Sequence, residues 1–138
     1  MSVDAILRTH PRPPIADVAV LARCIDECAA CAAFCTICAD ASSAEDDVEE
    51  MVRCIRLCLD CADACIATGG IVARQTDPGP ETQAKALEAC RSACVAAAAE
   101  CDRHARHHEH CRLCAEECRR CAEVCDELLV ALGPAEGA

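Results

Sequence analysis

The sequence has almost none of the large side chains from which a small protein usually builds its core. Its 138 residues include one Phe, no Trp or Tyr and two Met. The apolar fraction is supplied largely by Ala and Cys, which bury little area per residue. Hydrophobic packing is therefore expected to contribute little to the stability of this chain. The length of the chain indicates a single domain.

Acidic residues outnumber basic ones in the sequence, and neither a long apolar run nor the pattern of a secretory leader is visible in it. Its formal net charge of −11 argues against nucleic acid or an anionic membrane as a partner. No apolar run is long enough to span a bilayer. The first residues, MSVDAILRTHPRPP, show no apolar core and no cleavage site of a signal peptide. We therefore expect a cytoplasmic protein whose thiols are kept reduced.

Cysteine is the residue that the sequence has in excess. Seventeen cysteines, an odd number, cannot all pair within one chain. They form four strips with helical spacing, and the first, CIDECAACAAFCTIC, has steps of four, three, four and three without Gly or Pro. The strips comprise Cys24, Cys28, Cys31, Cys35 and Cys38; Cys54, Cys58, Cys61 and Cys65; Cys90, Cys94 and Cys101; and Cys111, Cys114, Cys118, Cys121 and Cys125.

The pattern predicts an all-α protein whose four long helices form an up-down-up-down bundle. We expect a short helix over about 3–9 and long helices over about 14–41, 44–75 and 80–103, with a fourth ending near Leu132. The cysteine strips occupy the seams that face the axis of such a bundle, so the cysteines are predicted to form its core.

Several local signals mark the boundaries of these helices. Ser42 with Glu45, or Ser43 with Asp46, resembles a cap at the start of the second long helix. Gly69-Gly70 would interrupt that helix, bend it or allow close packing, and these alternatives stay open.

The chain accordingly divides into three parts. We expect an N-terminal segment at 1–13, the bundle at 14–132 and a tail at 133–138, with Gly133-Pro134 ending the last helix.

The third strip of cysteines departs from the pattern at Ala97, where the spacing would place another cysteine.

Five alternative roles for a cysteine-rich core fit the pattern less well. Inert burial suits one or two cysteines rather than seventeen. Helix axes about 8–10 Å apart disfavour disulfides. Zinc sites are closed and each would leave negative charge in the core, and iron–sulfur motifs lie on loops that wrap a cluster. Redox catalysis needs an exposed thiol of low pKa. A ferredoxin-like or thiol redox protein and a zinc reservoir remain the alternatives.

Cu(I) suits the pattern better because it is soft, selects thiolates and accepts two or three of them. Seven pairs of cysteines stand four residues apart, which brings their sulfurs onto one helix face. Each Cu⁺ displaces one thiol proton, so the core stays near neutral as it fills. With bridging thiolates, the predicted capacity is roughly 15–20 ions per chain, and the predicted function is storage rather than catalysis.

The two ends of the predicted bundle differ in chemistry. Extending the seams beyond Cys38, Cys54, Cys101 and Cys111 gives a thioether and imidazoles, at Met51, His104, His107 or His108, and His110. Extending them at the opposite end gives aliphatic side chains and one threonine, at Val20 or Leu21, Thr68 or Val72, Leu87, and Leu128 or Leu132. We predict that copper enters and leaves at the end that carries His and Met.

The polar residues away from the seams receive no chemical role. His10 lies before the first long helix, away from the thiol strips. Charged residues off the seams are expected to face water, namely Asp60, Asp63, Glu116, Glu117, Arg119 and Arg120.

From about Pro14 to Leu132 the chain resembles the bacterial copper storage proteins of the branch without an export signal. The resemblance rests on CIDECAACAAFCTIC, CIRLCLDCADAC, CRSAC and HARHHEHCRLCAEECRRCAEVC. It implies a homotetramer of four-helix bundles, Cu(I) bound by paired cysteines in each core, and His and Met ligands near the open end. It also implies a cytosolic store that protects against excess copper. The departure at Ala97 leaves the third helix with fewer thiols to offer.

Overall fold

The computed structural model describes residues 2–133 and consists of helices in that range. Five α-helices and one 3₁₀ turn follow one another: α1 (Val3–Leu7), α2 (Val18–Ser43), the turn (Val48–Met51), α3 (Val52–Ala73), α4 (Pro80–His104) and α5 (Glu109–Leu132). No strand occurs among the described residues.

The four long helices pack side by side around one core. Helix α2 contacts α3 and α5, and α4 contacts the same two helices, while the short α1 lies against α2. Because short links join helices that are neighbours in space, successive helices run antiparallel. The predicted up-down-up-down four-helix bundle is therefore confirmed, as is a short helix near the N-terminus.

Helix α2 begins four residues later than predicted. The expected start at Pro14 is wrong because Asp17 supplies the cap: its Oδ1 accepts hydrogen bonds from the backbone N–H groups of Ala19 (2.9 Å) and Val20 (3.3 Å). The preceding segment is fixed instead to the end of α3, where the Ile15 N–H donates to Gln75 Oε1 at 2.7 Å.

The link between α2 and α3 also differs from the prediction. Ser42 and Ser43 do not cap the next helix but complete the last turn of α2, where the Ser43 hydroxyl donates to the Asp40 carbonyl at 2.6 Å. Helix α3 then begins at Val52 rather than near position 44. The fully buried Met51 explains this, because the 3₁₀ turn brings its side chain under the end of the bundle.

The Gly69-Gly70 pair lies inside an uninterrupted helix. A Cβ atom at Gly69 would lie 3.4 Å from Cys28 Cβ, so the glycine permits close contact between α3 and α2. Helix α4 starts at Pro80 as predicted. Helix α5 stops at Gly133, whose φ of 76° favours glycine, while Pro134 lies outside the described residues.

The core consists mainly of cysteine and alanine side chains. Every cysteine is buried, with no more than 1% of its surface exposed, which confirms the predicted core. Within residues 2–133, none of the helices has the combination of length and apolar character needed to cross a membrane.

Candidate metal centre

The centre of the bundle is a continuous column of thiol groups. All seventeen cysteines are free. Neighbouring sulfurs from different helices lie close together, as between Cys35 and Cys118 (3.5 Å) and between Cys61 and Cys94 (3.6 Å). A disulfide needs a separation of about 2.05 Å, so these are contacts between unbonded thiols.

Most of these sulfur contacts join two helices rather than two turns of one helix. Some predicted pairs four residues apart do meet, with sulfurs 3.9 Å apart for Cys31–Cys35 and 4.0 Å apart for Cys61–Cys65. Three sulfurs around one metal at about 2.3 Å would be separated by about 4.0 Å, close to these distances. The column can therefore accept ions bound by thiols from adjacent helices with small movements.

The sulfurs form overlapping clusters in which all members lie within 4.8 Å of one another. Several clusters share members: Cys31 and Cys121 each belong to two groups of four, and Cys58 belongs to a group of four and to one of three. Five of these groups are Cys28/Cys90/Cys121/Cys125, Cys31/Cys65/Cys94/Cys121, Cys31/Cys35/Cys61/Cys118, Cys38/Cys54/Cys58/Cys101 and Cys35/Cys58/Cys114. Shared sulfurs suit bridging thiolates, whereas closed zinc sites each need four sulfurs of their own.

Burial and sulfur–sulfur hydrogen bonds raise the pKa of several thiols in this column. Hydrogen bonds with Cys114 and Cys118 raise the pKa of Cys35, and burial acts in the same direction. Hydrogen bonds with Cys121 and Cys28, together with burial, likewise raise the pKa of Cys65. A thiol of raised pKa is neutral, so metal binding has to displace its proton.

The predicted open end brings one imidazole into direct contact with the thiol column. His110 Nδ1 lies 3.3 Å from Cys38 Sγ and 3.6 Å from Cys111 Sγ. Its Nε2 lies 3.1 Å from Glu45 Oε2, which fixes the ring orientation and leaves Nδ1 facing the sulfurs. Hydrogen bonds from Cys101, Cys38 and Cys54 lower the pKa of Cys111, and the charge of His110 contributes in the same direction.

Two further histidines at this end are held by carboxylates. His104 Nε2 lies 3.0 Å from Glu100 Oε2. His108 contacts Glu45 through Nδ1 and Asp47 through Nε2, the latter at 3.0 Å. The hydrogen bond to Asp47 is the main reason that the pKa of His108 is raised.

The remaining predicted residues of this end differ in their access to the column. Met51 is fully buried within the core cluster. His107 is exposed to solvent, so a ligand role for it stays a prediction. His10 lies near Thr76 (3.4 Å), in keeping with the prediction that it has no part in the thiol site.

The opposite end is closed by aliphatic side chains, as predicted. Leu21, Val72, Leu87 and Leu128 are fully buried, and Val20 and Leu132 pack against the same cluster. Thr68 is also buried, and its hydroxyl donates to the Ala86 carbonyl at 3.1 Å.

Glu117 contradicts the prediction that it faces water. It is 3% exposed, and Arg120 Nη1 lies 3.3 Å from its Oε1. Burial, followed by a hydrogen bond with Glu27 and the charge of that residue, raises the pKa of Glu117 to about 8. The burial of Glu117 could have been suspected from its position directly before Cys118. A residue beside a seam position often lies in the groove between two helices.

The family comparison identifies the chain. A family model described as "Copper storage protein" matches residues 17–130. The chain belongs to the copper storage protein family. A comparison with curated proteins found no match.

Solved structures of one relative resemble this bundle closely. The copper storage protein Ccsp of Streptomyces lividans, loaded with 10 copper equivalents, is 45% identical, with a TM-score of 0.92 over 95% of this chain and all of that one. A structure of the cytosolic S. lividans protein with five coppers is 48% identical, with a TM-score of 0.82 over 83% of this chain and 96% of that one.

Replacing Glu117 by Gln should stabilise the copper-free protein at alkaline pH. The folded pKa of about 8 lies above the ordinary 4.5, so stability is lost as pH rises between these values. Relative to wild type, we expect Glu117→Gln to raise Tm by at least about 3 °C at pH 8, with a much smaller difference near pH 4.5. Thermal unfolding followed by circular dichroism measures both.

The matched control is Glu123→Gln, which changes an exposed carboxylate on the same helix. It should leave Tm nearly unchanged at both pH values. A shift for Glu117→Gln of the same size at pH 4.5 and pH 8 would contradict the raised pKa.

Proposed function

We propose that this member of the copper storage family holds many Cu(I) ions within its bundle, as a store that also limits copper toxicity. The observation that carries the proposal is the set of overlapping, fully buried thiol clusters along the core. Such clusters favour a soft monovalent ion with two or three bridging thiolates. The protein would have no catalytic activity, because it would bind and release copper without converting a substrate.

The proposed ligands are the seventeen cysteines and a small number of residues at the open end. Among the latter, His110 has the strongest support because its Nδ1 already faces Cys38 and Cys111. Met51 packs within the core cluster that contains the cysteines. His104 and His108 would act after rearrangement, since both imidazoles now contact carboxylates. The exposed His107 has the weakest support.

Charge balance supports a capacity close to the number of cysteines. Each Cu⁺ would replace one thiol proton, so the dry core would stay near neutral at every stage of filling. Zn²⁺ in four-thiolate sites would instead add about two negative charges per site, which burial disfavours. Burial of all the thiols likewise argues against thiol redox catalysis, which needs an accessible sulfur.

Two further features are proposed from resemblance, and a third from the sequence pattern. The S. lividans relative is described as cytosolic, which supports a cytoplasmic location for this protein. The resemblance of the sequence to this family supports a homotetramer. The division into an N-terminal segment (1–13), a bundle (14–132) and a tail (133–138) is proposed from the sequence pattern. Helices α2 to α5, over 18–132, support the bundle, and residues 134–138 of the tail lie outside the described residues.

Anaerobic titration of the reduced protein with Cu(I), against a coloured competing chelator, tests the storage function. We expect saturation at roughly 15–20 equivalents per chain, because bridging thiolates serve two ions each. Saturation at about six equivalents or fewer would contradict storage, since closed four-thiolate sites would exhaust seventeen thiols at about four ions. A brown protein that contains iron and sulfide would support a ferredoxin-like function instead.

Placing a cysteine at position 97 should add one more copper-binding thiol. Ala97 is fully buried in the core, whereas its neighbour Ala96 is exposed. We expect Ala97→Cys to raise the capacity by about one equivalent and its new thiol to resist alkylation in the loaded protein. Titration and mass spectrometry after alkylation measure the two effects.

The matched control is Ala96→Cys, whose new thiol should react with the alkylating reagent and leave the capacity unchanged. Equal reactivity of the two introduced thiols after loading would contradict the proposal that position 97 belongs to the copper column.

A further inference from the structure

Two of the candidate ligands at the end that carries His and Met are shielded from solvent. Met51 at this end is fully buried. His108, with 11% of its side chain exposed, is held by Glu45 and Asp47 from the segment that links α2 to α3. Neither side chain is therefore freely exposed to an ion that arrives from solvent.

Ion pairs connect α3 and α4 at this end. The buried Glu100 lies 3.0 Å from His104, 3.2 Å from Arg103 and 3.6 Å from Arg53. Arg53 and Glu100 directly precede Cys54 and Cys101 in the sequence. These two cysteines are fully buried, and their sulfurs are 3.6 Å apart. The two arginines also place positive charge on this side, which opposes the approach of a cation.

The side between α2 and α5 contains an opening. A cavity of about 190 Å³ is lined by Phe34, Ile37 and Leu113 together with Cys38 and His110. The three apolar side chains are 40%, 64% and 42% exposed, so the cavity communicates with solvent. This cavity therefore joins the surface to the thiol–imidazole pair at the end of the column.

We infer that Cu(I) enters the bundle through this lateral cavity, with Cys38 and His110 as the first residues to bind it. The inference rests on the proposed storage function and assigns its route of uptake. Phe34, Ile37 and Leu113 would line the passage without binding copper. The occupant of the cavity is a Cu(I) ion in transit from a soluble Cu(I) complex.

The step is a ligand exchange without a change of oxidation state. The Cu–ligand bond of the donor complex breaks while a bond from Cu⁺ to Cys38 Sγ forms, and the thiol proton passes to the released ligand or to water. His110 Nδ1 then offers a second bond. Cys111, whose sulfur lies 3.9 Å from that of Cys38, is the next thiol inward.

The apolar walls would also favour Cu(I) over hydrated divalent ions. Hydrated divalent ions such as Mg²⁺ lose water reluctantly and would find no oxygen ligands among these three side chains. Cu(I) exchanges readily between soft ligands and reaches a sulfur as soon as it has passed the walls. The passage thus favours the ion that the column stores.

Filling the cavity with a larger side chain tests the route. Leu113→Trp should slow copper uptake at least about fivefold while the equilibrium capacity stays unchanged, because the substitution obstructs access and removes no ligand. Ile37→Trp, at a more exposed position, should do the same and serves as a second variant. Uptake is followed anaerobically as the loss of visible absorbance of a Cu(I)–bicinchoninate complex after mixing with reduced protein.

The matched control is Val95→Trp, which adds the same side chain at a half-exposed position on α4. Slow uptake by Leu113→Trp and Ile37→Trp with wild-type uptake by Val95→Trp supports the lateral route. Wild-type uptake by both cavity variants overturns it, as does an equal slowing in all three. Capacity is read from the same samples, so a wild-type capacity of about six equivalents or fewer would contradict storage rather than the route.

Discussion

The structure depends on keeping seventeen thiols on the inner faces of four helices without letting them bond to one another. Neighbouring sulfurs lie about 3.5 to 4.0 Å apart, beyond the length of a disulfide and close to the separation of two sulfurs on one metal ion. Helical backbone sets this separation, since steps of three and four residues return each sulfur to the axis. The sparse hydrophobic core follows, because large side chains would occupy the space that the thiols need.

The same constraint explains why the two ends of the bundle differ. At one end Leu21, Leu87 and Leu128 close the column with ordinary aliphatic packing. At the other end the column meets His110, and carboxylates hold the neighbouring imidazoles. A copper store has to exclude water and also exchange copper with its surroundings. The aliphatic end excludes water and the end that carries His110 would exchange copper, so a rigid bundle can do both.

The periodic features of the fold could be predicted from the sequence, and the features set by single contacts could not. The cysteine spacing identified the four helices, their inward faces and the closed end. Each cysteine of a strip indicates the same inward helix face, so the strip as a whole predicts it reliably. The start of α2 depended on Asp17 rather than Pro14, and two hydrogen bonds decided between them. Glu117 looked like a surface residue because the packing of α2 beside it was not visible in the sequence. The orientation of His110 likewise required the position of Glu45.

The most direct test of the copper column is the location of copper in the fully loaded protein, by anomalous diffraction at the copper absorption edge. We predict a column of copper sites from the level of Cys24 and Cys125 to that of Cys38 and Cys111. Most ions should have two or three sulfur ligands, and α2 to α5 should keep their present packing. Copper confined to surface carboxylates, or to isolated four-sulfur sites that leave most of the thiols free, would contradict the copper column.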